Sequence, residues 1–130
     1  MKMKKVYNIG VEATLEVIGG KWKPVILCHL RTGSKRTGEL KRLIPGISQK
    51  MLTSQLRELE KSSVIKRKVY REVPPKVEYS LTEYGDTLSF ILNKLCLWGE
   101  AHVDYLRDQG EDVVLIERDK VEEEELEEAK

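Results

Sequence analysis

"SQKMLTSQLRELEK", Ser48–Lys61, decides the fold. Leu52, Leu56 and Leu59 fall at i, i+4 and i+7, one face of an amphipathic helix. Beside them runs a second stripe, Lys50, Thr53, Ser54 and Arg57, at i, i+3, i+4 and i+7. That stripe carries no carboxylate, in a chain holding 22 Asp and Glu. A polar face kept free of acids suits a polyanionic partner, because phosphates repel carboxylates. Ser48 stands where an N-cap belongs, and Pro45–Gly46 breaks the chain just before it. Ahead of the break, "TGELKRLI" (Thr37–Ile44) gives another short helix, expected to turn Leu40, Leu43 and Ile44 inward. Two short helices joined by a tight turn form a helix-turn-helix.

Toward the N-terminus, Val11, Leu15 and Ile18 predict a helix of about two turns. Gly19–Gly20 should end it, since glycine readily takes the left-handed geometry after a helix. "KWKP" (Lys21–Pro24) opens the next helix, with proline in the first turn. Trp22, Val25, Ile26, Leu27 and Leu30 make that helix apolar on most sides, hence central, and Gly33 stops it.

Toward the C-terminus the period changes. Val77, Tyr79 and Leu81 alternate with Lys76, Glu78 and Ser80, which is strand spacing. "VPPK" (Val73–Lys76) separates two strands of a hairpin over about residues 64–81. Thr82 should cap a long helix. Its apolar seam is Tyr84, Leu88, Ile91, Leu95, Trp98, His102 and Tyr105, broadened by Leu92, Cys96 and Leu106. Such a helix exceeds what a small domain needs and is expected to pair with a second copy of the chain.

Helix, helix, helix-turn-helix and hairpin, in that order, make a winged helix-turn-helix: mainly α with a small β-hairpin wing (α+β). The second helix of the motif enters the major groove. Lys50 and Arg57 would supply charge; Gln49 and Thr53 suit base edges, Ser54 either base or phosphate, and Ser48 is counted with them. Lys66, Arg67, Lys68, Arg71 and Lys76 cluster on the hairpin and would reach phosphates or the minor groove. Arg36, Lys41 and Arg42 would anchor the flanking backbone, with Lys23 and Lys35 as weaker candidates. Glu58 and Glu60 lie toward the far end of the reading helix.

Charge agrees with this. The net value of +1 over 130 residues hides fifteen bases against four acids in residues 21–76, and ten acids against three bases in 111–130. Residues 1–110 therefore read as the DNA-binding domain with its dimerisation helices, and 111–130 as an acidic tail, expected to be solvated. "VVLI" (Val113–Ile116) would either extend the dimer contact or form a short strand. No apolar run of about 18 residues predicts a membrane span, and the N-terminus lacks a signal-type apolar region, so a cytoplasmic location is expected. Cys28 and Cys96 lie in apolar helical patterns and read as small buried hydrophobes. No paired Cys/His spacing, glycine-rich phosphate loop or catalytic triad occurs, so neither an enzyme nor a cofactor is expected.

"VIGGKWKPVIL", "PGISQKMLTSQLRELE", "REVPPKVEYSLTEYG" and Trp98–Gly99 together resemble the HxlR family of bacterial winged-helix transcription regulators, relatives of the MarR group. The resemblance runs from about Val11 to Trp98. It implies a homodimer on a pseudo-palindromic operator, repressing or activating nearby genes. It also implies that the first and last helices form the dimer. The interface would then hold Val11, Leu15 and Ile18 with Leu88, Ile91, Leu95, Trp98, His102 and Tyr105. Several such proteins sense oxidants through a cysteine just before the "VE" of the first helix; here Ile9 and Gly10 stand where "CP" is usual, so the sensor thiol is missing. Thr37 stands where Phe is usual, and its hydroxyl is expected to cap the third helix. Two further expectations concern partners. One is a small-molecule effector between the long helix and the core, near Trp22, Trp98 and Tyr105. The other is the rival reading, a winged helix that docks proteins without specific DNA binding.

Overall fold

The computed structural model describes residues 3–116. The acidic run from residue 117 onward lies outside them. Among the described residues six helices and two strands follow one another: α1 (Gly10–Ile18), α2 (Lys23–Leu30), α3 (Thr37–Leu43), α4 (Gln49–Lys61), β1 (Ile65–Tyr70), β2 (Lys76–Leu81), α5 (Glu83–Asp86) and α6 (Ser89–Asp108). Two compact units result, Met1–Leu92 and Asn93–Lys130, divided inside α6.

In the first unit, Ile26, Leu27, Leu30, Leu40, Leu52, Leu56 and Leu59 are all at most 2% exposed and share one core, in which α3 packs on both α2 and α4. Ile44 and Ile47 fill the turn of the helix-turn-helix, and Gly46 takes φ 94° there, a conformation that needs glycine. Leu43 was expected inward but is 45% exposed. Leu40, Ile44 and Ile47 already occupy the inward side, and the seven-residue helix has no second buried stripe. Gly20, at φ 89°, follows the C-cap Gly19 of α1 as the glycine pair suggested.

The hairpin is antiparallel, with Ile65 opposite Leu81, Arg67 opposite Tyr79 and Val69 opposite Val77 on one face. Lys66 opposite Ser80, Lys68 opposite Glu78 and Tyr70 opposite Lys76 make the other. Lys35, just before α3, adds a single bridge to Tyr79 through bonds of 2.8 and 2.9 Å in both directions. α4 ends in a reversed turn: Ser63, at φ 64°, and Val64 return their N–H groups to Glu60 and Leu59.

Thr82 does cap a helix, accepting from the Gly85 N–H at 2.9 Å, but that helix is α5 and not one long element. At Thr87 and Leu88 the N–H groups bond three residues back, to Tyr84 and Gly85, and the chain restarts as α6. Gly85 is buried so tightly that a Cβ would lie 1.8 Å from the Val64 carbonyl oxygen.

The second unit holds the rest of α6. Gly110, at φ 90°, ends the helix, with the Glu111 N–H bonded to the Leu106 carbonyl at 3.0 Å. Arg107 Nε then donates to the Val113 carbonyl at 2.9 Å. Val113 and Val114 therefore form an irregular return and not a strand. Cys28 is half-buried against the core, as its pattern suggested. Cys96 is exposed, which corrects its reading as a core residue: Leu92 is the residue α6 buries, and Cys96 one turn on is left outside.

Candidate nucleic-acid interface

The reading helix is built by opposition. Leu52, Leu56 and Leu59 hold one side of α4 in the core at 0–1% exposure, so the stripe beside them is left outside. Gln49, Lys50, Ser54 and Arg57 are exposed and Thr53 is half-buried. Ser48 Oγ accepts the Met51 N–H at 3.0 Å and keeps the first turn wound. No acidic residue occupies that turn.

The nearest acid on α4, Glu58, is turned away and paired. Lys23 Nζ sits 2.7 Å from its carboxylate, and the Lys23 side chain is only 15% exposed. Lys23, a weak DNA candidate on sequence grounds, therefore ties α2 to the far end of α4. Lys35 is likewise used locally, donating to Thr32 Oγ1 and the Gly33 carbonyl.

Six of the candidate cations on α3 and the wing line two clefts. Arg36, Arg42 and Lys76, with Pro75 and Val77, line a cleft of about 440 Å³ between the start of α3 and the base of the wing. Lys66, Arg67 and Lys68, with Ser34, Tyr70, Glu78 and Ser80, line another of about 440 Å³ along the hairpin. Lys41 and Arg71 are exposed and belong to neither. Arg36 proves to be the N-cap residue of α3, its N–H bonded to the Glu39 carboxylate at 3.1 Å. Thr37, expected to cap, is instead the first helical residue, because Glu39 already takes the orphan donor.

The wing carries a network that sequence spacing did not reveal. Lys68 and Lys76 flank the Tyr70 ring at 4.7 and 4.8 Å. Lys76 Nζ also lies 2.9 Å from Glu78, and the Tyr70 hydroxyl donates to Glu78 at 3.1 Å. The hydrogen bond from Lys76, reinforced by that from Tyr70, holds the Glu78 carboxyl below the ordinary glutamate value; Glu78 in turn raises Lys76. Lys76 is thus a partly neutralised cation, while Lys66 and Lys68 remain available on the same face. Strand alternation puts Lys76 and Glu78 on one face; the register that adds Lys68 and Tyr70 to them comes from the structure.

Of the candidate dimer residues, Val11, Leu15, Leu95, Trp98 and Tyr105 are 50–69% exposed and Ile91 is 37% exposed. Ile18 is buried in the core and Leu88 packs against it. Trp98 and His102 stack at 5.0 Å, and His102 and Tyr105 at 6.2 Å, along the outside of α6. Trp22 packs on the core of the first unit, whereas Trp98 and Tyr105 are exposed on the second. A small apolar cavity of about 190 Å³ lies elsewhere, lined by Ala13, Val17, Val64, Tyr84 and Leu88 among others. Among the described residues no cluster of metal ligands occurs. No helix there is long and apolar enough to cross a membrane.

The family model described as HxlR-like helix-turn-helix matches residues 17–107. The chain belongs to that family. YtcD of Bacillus subtilis (strain 168), named an HTH-type transcriptional regulator, is 69% identical over 101 residues, covering 78% of this chain and 80% of YtcD. YkvN of the same organism, named likewise, is 55% identical over 109 residues, covering 84% and 92%. Among solved structures, ytcD superposes with a TM-score of 0.71 at 66% identity, over 74% of this chain and 98% of that one. The redox regulator HypR in its oxidized form gives 0.70 at 54% identity, over 72% and 96%. This HxlR-like chain is accordingly a winged helix-turn-helix transcription regulator. At the N-terminus of α1 it carries Ile9 as the cap residue and Gly10 as the first helical residue, without a thiol.

Proposed function

We propose that the chain acts as a homodimeric, sequence-specific DNA-binding regulator, repressing or activating transcription from a pseudo-palindromic operator in the cytoplasm. The observation that carries this is the face of α4: Lys50, Ser54 and Arg57 exposed, Thr53 beside them, and no carboxylate in the first turn. α4 reads the major groove. The hairpin, with Lys66, Arg67, Lys68 and Arg71 exposed, meets phosphates or the adjacent minor groove. Arg36, Lys41 and Arg42 hold the flanking backbone.

Dimerisation is supported by the apolar side chains left open on α1 (Val11, Leu15) and on α6 (Ile91, Leu95, Trp98, Tyr105). Two reading helices would then stand about 34 Å apart, one duplex turn. The 190 Å³ cavity beside α1 has room for a small apolar effector.

An electrophoretic shift with the duplex upstream of the protein's own gene tests the reading. A retarded band at low salt, lost as salt rises, is expected. No shift at any salt would favour a winged helix that docks proteins instead.

A further inference from the structure

Gln49 is the first residue of α4, and Thr53 follows one turn later. Gln49 Nε2 donates to Thr53 Oγ1 at 3.3 Å. Gln49 is exposed, and Thr53 is half-buried against the helix flank. In a helix-turn-helix the first residues of the second helix are those that meet base edges.

A primary amide has one acceptor oxygen and two N–H donors. With one N–H given to Thr53, one donor and one acceptor remain. Adenine matches that pair in the major groove, where N7 accepts and N6–H₂ donates. Guanine presents two acceptors there, N7 and O6. The oxygen of the held amide would face O6 with no proton between them. Thr53 is well suited to hold the amide, because a β-branched side chain has few rotamers to lose.

We propose that Gln49 reads an adenine in each half-site and that Thr53 is a positioning residue that orients its amide. This rests on α4 being the major-groove helix. The predicted readout is a preference at one base pair and not a general gain in affinity.

In vitro selection from randomised duplexes, with the full-length protein and its variants, tests the assignment. The unaltered protein should enrich adenine at one position per half-site. Competition at that position should show about a tenfold preference for A·T over G·C. Gln49→Ala should bring the two close to parity while enriching the same bases elsewhere. Thr53→Val should cut the preference to about a third, and Thr53→Ser, which keeps the hydroxyl, should restore it. A role in packing alone would instead weaken all duplexes equally, and that result would overturn the role of Thr53. Guanine enriched at the Gln49-dependent position, or an unchanged profile in Gln49→Ala, would overturn the proposal while leaving α4 as the reader. No enrichment with any form would overturn the reading of α4 itself.

Discussion

Gly85→Ala should be among the most damaging single substitutions in the chain. The added methyl carbon would lie 1.8 Å from the Val64 carbonyl oxygen and 2.7 Å from its carbon. Relief to an ordinary contact requires the two segments to part by about 1.6 Å. Two hydrogen bonds cross the same gap, from the Thr82 N–H to Val64 at 3.1 Å and from the Thr82 hydroxyl to Ser63 at 2.7 Å. Each contributes about 1 kcal/mol, and the overpacking itself costs about 1–3 kcal/mol. The sum is a loss of about 3–5 kcal/mol. With a urea m-value of about 2 kcal/mol/M, the unfolding midpoint should fall by about 1.5–2.5 M. Gly38→Ala is the control. Its Cβ would meet nothing nearer than Arg42 Nη1 at 3.7 Å, so stability should hold or rise by up to about 1 kcal/mol. A loss of less than about 1 kcal/mol at Gly85 would refute the close approach of α5 to Val64.

Ser63→Gly should stabilise the fold by up to about 1 kcal/mol in the same assay, since glycine adopts φ 64° without a Cβ clash. Leu95→Glu, on the exposed side of α6, should yield a folded monomer by sedimentation, whereas the unaltered protein should sediment as the proposed dimer. Glu78, held down first by Lys76 and then by Tyr70, stabilises the wing above the ordinary glutamate value. That contribution is lost as pH falls through its lowered folded value. In a ¹³C NMR titration, Lys76→Ala should move the Glu78 midpoint up toward the ordinary value, and further than Tyr70→Phe does.

α4 could be read almost whole from sequence, because everything that shapes it is local: a leucine stripe, a serine cap and an acid-free flank. Gly20, Gly33 and Gly46 marked their turns for the same reason. What escaped was set by contacts distant in sequence. The Lys35–Tyr79 bridge and the Lys23–Glu58 pair leave no periodic trace. The seam after Thr82 kept its period of three and four through Thr87 and Leu88, so the break at those two residues was hidden. At the interface, residue types were legible but their pairing was not. Lys76 looks like any wing cation until Glu78 and Tyr70 are seen beside it.

The central claim is that the exposed polar stripe of α4 binds a duplex through phosphates and bases. Its most direct test is the salt dependence of binding to the upstream duplex, measured for the unaltered protein and for Lys50→Ala with Arg57→Ala. Loss of two phosphate contacts should flatten the log–log slope by about 1.8 and weaken binding by at least about 2 kcal/mol. A slope and affinity unchanged by the double substitution would contradict it.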